Sequence, residues 1–419
     1  MKRKAWVFWS ALMFLLLVAA GCSGNDGTTS GDGGGESEDG TTELTLAGWA
    51  SSPEEEKLLN TQLEEFEEEN PDITVKHEAI ADQYMDVIKT RLVGGEGPDV
   101  FYLDAVEAPS LIETGVLEPL NSYVDDEFDA GDFEDTLIEA FKDEEGETYG
   151  FPKGYSTLGL FYNKEMLDEA GVDVPTNWEE LEEAAIELTT EDTVGLGVAP
   201  QMARLQFIGE SRSGDMVEDD MAAFGSEEVV QGLQPLVDLR TEEEAAAAPS
   251  EMGSESTGEM LGQGRAAMVM EGNWNVPYFE ETFPEMDYGV AEIPEMNGTQ
   301  GTMAYTVSYV MNQASDKKEA AWKLISYLTG KEGMKTWTET GIELPARQSV
   351  AEELGFEDDE LRGPLVTGAE YATTWSDGPN LPTIYNNFDN EFLSAFLGEK
   401  SLEDALETGE KVANDEIGD

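Results

Sequence analysis

The chain has 419 residues, of which 23 are Lys or Arg and 91 are Asp or Glu, so its formal net charge is −68. This length exceeds what one hydrophobic core usually organises, and two lobes are expected. The acidic excess argues against a nucleic-acid partner, and a single cysteine (Cys22) with a single histidine (His77) argues against disulfides, Cys/His zinc sites and Cys–His catalysis.

The N-terminal segment has the features of an export signal. Three cations precede 16 almost entirely apolar residues, 5–20, a run shorter than the ~20 residues that span a bilayer. The sequence VAAGC at 18–22 resembles the lipobox of bacterial lipoprotein precursors, with Ala19 where that motif favours Leu. The resemblance implies a signal peptide over 1–21, lipidation of Cys22 and attachment to a membrane through the lipid.

The segment after the lipobox is predicted to be a disordered tether. Residues 22–42 are Gly, Ser, Thr, Asp and Glu almost throughout and contain no apolar anchor.

From Glu43 onward the pattern alternates between strands and helices. Such an order predicts a parallel sheet with right-handed crossovers, in which ligands bind at the carboxyl ends of strands. Trp49 and Asp104 follow two of these strands. The predicted elements are strand 44–49, a helix from 53 to 70, strand 73–77, helix 84–93 and strand 99–104.

Two features that could carry chemistry are interpreted as structural. His77 alternates with apolar residues on the second strand, so we expect a core or edge histidine and no catalytic base. The acidic stretch 125–135 has the spacing of a calcium loop, but Ala130 stands where an EF-hand needs Gly, and a solvated loop is predicted.

The stretch 149–164, YGFPKGYSTLGLFYNK, is predicted to carry the chain from one lobe to the other. Residues 149–152 are predicted to form a short strand that Pro152 ends, and 157–162 a strand buried on both faces. Asn163 is predicted to cap a helix that runs to about Gly171.

Further elements follow the same reasoning, starting with a helix that Asn177 caps. The predicted strands are 194–199, 264–270, 288–293 and 303–311, and the predicted helices are 226–240, 317–329, 333–339, 361–372, 384–397 and 402–415.

Several blocks of sequence together resemble the family 1 extracellular solute-binding proteins of ABC importers, the class that includes maltose-binding protein. They occur in the family order over nearly all of the mature chain. The blocks are GGEGPDVFYLD at 94–104, YGFPKGYSTLGLFYNKEMLDEAGVDVPTNWEEL at 149–181, GRAAMVMEGNW at 264–274, AAWKLISYLTG to GIELPARQ at 320–348 and, more faintly, PNLPTIYNNF at 379–388.

The resemblance implies an α/β, two-lobed periplasmic-binding-protein-like fold of class II, with each lobe a sheet flanked by helices. One lobe would hold 43–152 and 309–350, the other 153–308 and 351–419, with a hinge between them. It also implies a lipid-anchored receptor at the extracellular face of the cell membrane, which binds a sugar or oligosaccharide and delivers it to the permease subunits of an ABC importer. We expect a monomer that is not an enzyme and has no cofactor and no metal.

A sugar site needs aromatic platforms for the apolar faces of the rings and short polar groups for the hydroxyls. Trp178, which begins a helix, is interpreted as structural, and Phe388 stands where some sugar binders carry Trp. The positions that match contacting regions of the family are Trp49, Ser51, Asp104, Tyr155, Gln201, Asn273, Trp274, Tyr305 and Phe388, and Trp375 is added because its loop is predicted near the cleft.

Two other functions stay open at this point. A compatible solute or polyamine would want several carboxylates around an aromatic box, and the matched positions supply only Asp104. A glycosidase would need a second, suitably spaced acid, which these positions do not offer. The acidic excess is spread over the whole chain, a pattern that indicates saline or alkaline surroundings.

Overall fold

The computed structural model describes residues 41–49, 53–81 and 83–418. The predicted signal peptide, the lipidation of Cys22 and the candidate Ser51 lie outside the described residues. The first strand begins at Thr42, so the last residue of the predicted tether belongs to the fold.

Eight strands of the described chain lie at predicted positions, with one continuous strand where two were expected, and four short strands were not predicted. The strands are β1 (Thr42–Gly48), β2 (Ile73–Ala79), β3 (Val100–Asp104), β4 (Gly150–Asn163), β5 (Val194–Gly197), β6 (Val217–Glu218), β7 (Met221–Ala222), β8 (Ala246–Ala247), β9 (Ala266–Gly272), β10 (Tyr288–Ala291), β11 (Thr302–Met311) and β12 (Ala372–Thr374).

The α-helices of the same residues are α1 (Pro53–Glu69), α2 (Tyr84–Gly94), α3 (Ala108–Thr114), α4 (Asp135–Glu139), α5 (Lys164–Ala170), α6 (Trp178–Leu188), α7 (Met202–Gly209), α8 (Glu227–Thr241), α9 (Thr257–Gly262), α10 (Asn275–Thr282), α11 (Lys318–Thr329), α12 (Lys331–Thr338), α13 (Gln348–Leu354), α14 (Gly363–Gly368), α15 (Leu381–Phe396) and α16 (Leu402–Gly418).

Side-chain caps begin helices where the sequence predicts them. The Asn163 side chain accepts a hydrogen bond from the backbone N–H of Met166 at 3.0 Å and begins α5, which ends at Gly171 with φ of 69°. The Asn177 side chain caps α6 in the same way. One helix prediction is wrong at its end: the expected helix 361–372 is shorter, and its last residue begins β12.

A ten-stranded sheet runs through the molecule in the order β2-β1-β3-β11-β4-β9-β5-β8, with β10 on β4 and β12 on β11. β1, β2 and β3 are parallel, which confirms the prediction for the first hundred residues. β5, β8 and β9 are also parallel to one another, whereas β4 and β11 are antiparallel to each other.

β4 and β11 belong to both parts of this sheet. The last five residues of β11 pair with β3, and its first three pair with β12. The second half of β4 pairs with β9 and β10, and its first half pairs with β11. The two strands are therefore the connection between the part built on β1–β3 and the part built on β5, β8 and β9.

A β-bulge interrupts the pairing of these two strands. Gly154 is opposite Val307 and Pro152 is opposite Ser308, so Lys153 is the extra residue on β4. The prediction that Pro152 ends a strand is wrong, because an irregularity in the ladder tolerates a residue without an N–H group.

The bulge brings the Lys153 side chain into the interior, where it is 2% exposed. Its ammonium group lies 2.8 Å from a carboxylate oxygen of Glu343 and 3.5 Å from one of Glu55, and 4.2 Å from the ring centre of Trp337. A single buried cation thus links β4, the start of α1 and the segment after α12.

Apolar side chains cover both faces of the sheet. One buried cluster lies between β1, β3 and the helices α2 and α3, and includes Ile88 and Phe101. A second spans the opposite face and reaches from Phe66 to Phe279, and a third holds α6, α7, α8, α15 and α16 on the part built on β5, β8 and β9.

As predicted, most carboxylates of the acidic stretch 125–135 are exposed to solvent, but two aromatic residues of the stretch are buried. Phe128 and Phe133 within it are buried, and their rings lie 4.8 and 4.0 Å from the guanidinium carbon of fully buried Arg347. Asp132 accepts hydrogen bonds from Arg347 at 3.2 Å and from the Ser349 hydroxyl at 2.7 Å. The stretch therefore anchors an arginine.

His77 lies on β2, the edge strand of the sheet, as predicted. It is half-buried, and desolvation lowers the pKa of its imidazole. In the part of the chain that the structure describes, no helix combines the length and the apolar character needed to traverse a bilayer.

Candidate functional site

The two candidates at the ends of parallel strands lie on neighbouring strands. Trp49 follows β1, and its ring packs edge-on against Tyr84 and Tyr102 at 4.9 and 5.2 Å between ring centres. Asp104 ends β3, which pairs with β1. Both side chains are half-buried, so they keep some exposed surface at this edge of the sheet.

Asp104 caps the turn that follows its strand. One carboxylate oxygen accepts a hydrogen bond from the backbone N–H of Val106 at 3.2 Å. Burial raises the pKa of Asp104 to about 6, because the hydrogen bond only partly compensates the loss of water around the charge. The other carboxylate oxygen can accept a hydrogen bond from a ligand hydroxyl.

Four side chains, which we call the Trp274 cluster, form the opposite part of the site: Arg204, Glu271, Trp274 and Tyr305. The indole N–H of Trp274 donates to Glu271 at 3.0 Å, and Glu271 also accepts from the Thr257 hydroxyl. The rings of Trp274 and Tyr305 meet edge to face at 5.9 Å. The Arg204 guanidinium carbon lies 4.6 Å from the Trp274 ring centre and 5.5 Å from that of Tyr305.

The charges of this cluster are balanced. Arg204 Nη2 lies 3.6 Å from a carboxylate oxygen of Glu271, which is itself almost completely buried. Arg204 Nη1 is buried and has no hydrogen-bond partner among the described residues. The Tyr305 hydroxyl donates to the carbonyl of Ala203, and burial raises the pKa of Tyr305 to about 12. A ligand hydroxyl can accept a hydrogen bond from Nη1 only if the groups that cover this nitrogen move.

A second aromatic pair connects the two sides. Trp375 and Tyr385 lie 5.8 Å apart between ring centres, and Trp375 is buried while Tyr385 is half-buried. Burial, together with the charges of Glu107, Asp389 and Asp104, raises the pKa of Tyr385. The side chain of Tyr385, on α15, is thus close enough to Asp104, at the end of β3, for the charge of Asp104 to affect its pKa.

Besides Trp375, three predicted contacts are buried. Phe388 has no exposed surface and packs between Phe224 and Phe392 at 5.4 and 5.1 Å, so it is a core residue and no stacking platform. Tyr155 is 5% exposed, and its backbone pairs with that of Leu344. Its side chain belongs to the core instead of facing the cleft.

Asn273 is fully buried as well. Its side-chain amide donates to the carbonyl of Ile342 at 2.8 Å, and its Oδ1 has no partner among the described residues. It links the end of β9 to the segment that carries Glu343. Gln201, by contrast, is exposed at the start of α7, one turn before Arg204.

Arg204, Glu271 and Tyr385 were not among the predicted contacts. Glu271 offered a signal, since a lone carboxylate in the otherwise apolar strand AAMVMEG requires a partner. Tyr385 stands in the PTIYNNF block, and Arg204 is one of few cations in the chain. Nothing in the sequence indicates that Arg204 covers the face of Trp274.

A cavity of about 590 Å³, here called the α4–β12 pocket, lies beside this site. One wall comes from α3 and α4 and the other from β12 and the residue after Trp375. The lining residues are Pro109, Asp135, Thr136, Glu139, Ala140, Lys142, Ala372, Thr374 and Ser376.

Over the described residues, no group of three or more His, Cys, Asp or Glu side chains is arranged to hold a metal ion.

Comparison with known proteins assigns the chain to a family. The model of the bacterial extracellular solute-binding protein family matches residues 61–364, well over half of the chain. A galactooligosaccharide-binding protein of Bacillus subtilis is 22% identical over 100% of this chain and 98% of its own length. An arabinooligosaccharide-binding protein of Halalkalibacterium halodurans is 26% identical over 78% of this chain and 76% of its own.

Solved structures agree with this assignment. An ABC substrate-binding protein from Listeria monocytogenes, in complex with cycloalternan, superposes with a TM-score of 0.81 and 26% identity over 90% of this chain and 99% of its own. An ABC transporter solute-binding protein from Thermotoga lettingae, bound to α-D-tagatose, gives 0.79 and 25% over 90% and 99%. The chain therefore belongs to the bacterial extracellular solute-binding proteins, with their two-lobed α/β fold, and is a binding protein and not an enzyme.

Proposed function

We propose that this chain binds a sugar or oligosaccharide between its two lobes and delivers it to an ABC importer. The observation that carries the proposal is the Trp274 cluster, which combines an aromatic platform with a donor that has no partner among the described residues. Relatives named for galactooligosaccharides and arabinooligosaccharides, and neighbours solved with cycloalternan and tagatose, support the same class of ligand.

The chemistry of the site suits a neutral polyol. A sugar ring presents an apolar C–H face, which packs on the part of the half-buried Trp274 ring that stays exposed. Its hydroxyls donate a hydrogen bond to Asp104 and, where the groups that cover Arg204 Nη1 move, accept one from that nitrogen. Arg204 occupies the aromatic face that a cationic ligand would need, so a polyamine is disfavoured.

We also propose the boundaries of the two lobes and attachment to the membrane through a lipid on Cys22. One lobe holds 43–152 and 309–350, and the other holds 153–308 and 351–419. A ligand that contacts Asp104 on one lobe and Trp274 on the other favours the closed arrangement, which a permease then recognises. Lipidation of Cys22 keeps the monomeric receptor at the extracellular face of the membrane.

Thermal unfolding in the presence of a panel of mono- and oligosaccharides tests the binding function. A true ligand at one hundred times its Kd adds about 2.7 kcal/mol to the free energy of unfolding. Trp274→Ala should abolish this shift. Trp322, which is half-buried against Tyr123 and Phe128, gives a matched control: Trp322→Ala should lower stability and leave the shift intact. Equal shifts in both variants, or none in the wild type with any sugar, would refute the proposal.

A further inference from the structure

We infer that Glu271 is a positioning residue of the sugar site, whose buried carboxylate fixes the orientation of the Trp274 ring through the indole N–H. This inference rests on the proposed function and adds to it the group that determines how the aromatic platform is presented to a ligand. Glu271 is 5% exposed, so it acts through Trp274 and not through a contact of its own with the sugar.

The carboxylate of Glu271 is anchored by one oxygen and holds the site with the other. Oε1 accepts a hydrogen bond from the hydroxyl of Thr257, which is 2% exposed at the start of α9. Oε2 accepts one from Trp274 Nε1 at 3.0 Å and lies 3.6 Å from Arg204 Nη2. Because packing holds Thr257 in place, the position of the carboxylate is set before a ligand arrives.

The other contacts of the Trp274 ring have less directional preference. A Cβ at Gly272 would lie 2.2 Å from this ring, so the ring lies directly against the end of β9. Tyr305 meets it edge to face at 5.9 Å. Such packing contacts are compatible with more than one rotation of an indole, whereas a hydrogen bond has a preferred angle at its donor. The bond to Glu271 therefore determines which edge of the ring points inward and which edge a ligand meets.

The interaction with Arg204 explains why the acceptor is an acid. Desolvation lowers the pKa of a buried guanidinium, but the charge of Glu271 and the hydroxyl of Tyr305 outweigh this effect, and the pKa of Arg204 is raised. Arg204 in turn lies over the ring, with its guanidinium carbon 4.6 Å from the ring centre. One carboxylate thus holds the indole by its edge and balances the cation on its face.

Two neutral substitutions separate the hydrogen bond from the charge. Glu271→Gln and Glu271→Leu both remove the charge, but only Gln keeps an oxygen to which the indole N–H can donate. Calorimetry with the panel sugar that raises the wild-type Tm most should show about tenfold weaker binding for Glu271→Leu than for Glu271→Gln. In a Trp274→Phe background, which has a ring but no N–H, the two substitutions should bind the sugar equally.

Near-ultraviolet circular dichroism makes the same comparison without a sugar. The signal of an aromatic ring depends on fixed packing, so the spectra of Glu271→Gln and Glu271→Leu should differ, and the difference should vanish in the Trp274→Phe background. Thr257→Val leaves the acid in place and gives a second test if Glu271→Leu does not fold. It frees Oε1 and should weaken sugar binding about threefold, but only where Trp274 is present.

Asp99→Asn is the matched control for the loss of a buried acid. Asp99 is 7% exposed, accepts a hydrogen bond from the Ser315 hydroxyl at 2.7 Å and pairs with Lys317 at 3.1 Å. It precedes β3, whereas Asp104 of the candidate site ends that strand. Asp99→Asn should therefore lower Tm and leave the sugar affinity unchanged.

The possible results separate this inference from the proposed function. If Glu271→Gln and Glu271→Leu bind the sugar equally and give the same spectrum, or if their difference persists in the Trp274→Phe background, Glu271 acts only through the fold and the inference is refuted while sugar binding stands. If no sugar binds the wild type, the proposed function fails, and the spectra still decide whether Glu271 holds the ring.

Discussion

Replacement of Lys153 by Met should lower the free energy of unfolding by more than the loss of an exposed lysine charge would. The side chain is 2% exposed, and its ammonium group lies between Glu343 and Glu55, whose side chains are 20% and 6% exposed. Met keeps most of the apolar stem over the rings of Trp337 and Tyr102 but removes the cation. Two carboxylates are then left together in the interior without the charge that they share.

The size of the effect follows from this burial. Removal of one partner from a buried ion pair costs about 3–5 kcal/mol, and the partial exposure of Glu343 places the expected loss near ~3 kcal/mol. At roughly 2 °C per kcal/mol for a chain larger than 150–250 residues, Tm should fall by roughly 6 °C. Because the group is shielded from solvent, the loss should persist at 1 M salt.

Thermal and urea unfolding at low and high salt measure the effect. Lys411→Met is the control, since Lys411 pairs with Asp415 on the exposed face of α16 and should cost no more than about 1 kcal/mol. The triple variant Glu55→Gln, Lys153→Met, Glu343→Gln should regain most of the loss, because no uncompensated charge remains. A Lys153→Met protein as stable as the control, or a triple variant no better than the single one, would show that the buried charges do not govern this region.

Two further predictions concern packing and pH. A Cβ at Gly195 would lie 2.0 Å from the carbonyl oxygen of Ala185, so Gly195→Ala should lower the unfolding free energy by at least about 2 kcal/mol. Gly94 has open space around it, so Gly94→Ala is the control and should leave the unfolding free energy unchanged or raise it. Thermal unfolding followed by circular dichroism measures both effects. Burial raises the pKa of Glu210 from 4.5 to about 7. Between these two pH values the Glu210 carboxyl is therefore protonated in the folded chain and ionised in the unfolded chain. Stability should therefore fall as pH rises through this window, and Glu210→Gln should flatten that part of the curve; an unchanged slope would contradict the assignment.

Much of the fold could be predicted because its signals are local. Capping asparagines such as Asn163 and Asn177 begin helices through their own side chains, and the alternation of strands with helices predicts the parallel order of β1–β3. The bulge at Lys153 could not be predicted, because it depends on the register of β11, some 150 residues away. The sequence shows Pro152 but not the partner strand that accommodates it.

The site was predicted less completely, and α15 shows why. Ile384, Phe388 and Phe392 recur at intervals of four and form the buried stripe of the helix, while Tyr385 lies beside that stripe. The choice of Phe388 followed the family position and neglected this periodicity. Arg204 is a different case, since its stacking on Trp274 joins two segments whose proximity only the fold determines.

The order of the strands along the chain also determines when the protein can fold during its synthesis. β3 and β4 are complete by residue 163, yet the edge between them is filled only by β11, which ends at Met311. α11 and α12, which pack against α1, are made later still. A nascent chain therefore exposes unpaired strand edges until three quarters of it has been synthesised, and closing so long a loop is slow. The part of the sheet built on β1–β3 therefore waits for β11, and the part built on β5, β8 and β9 waits in addition for α15 and α16, which are made last among the described helices.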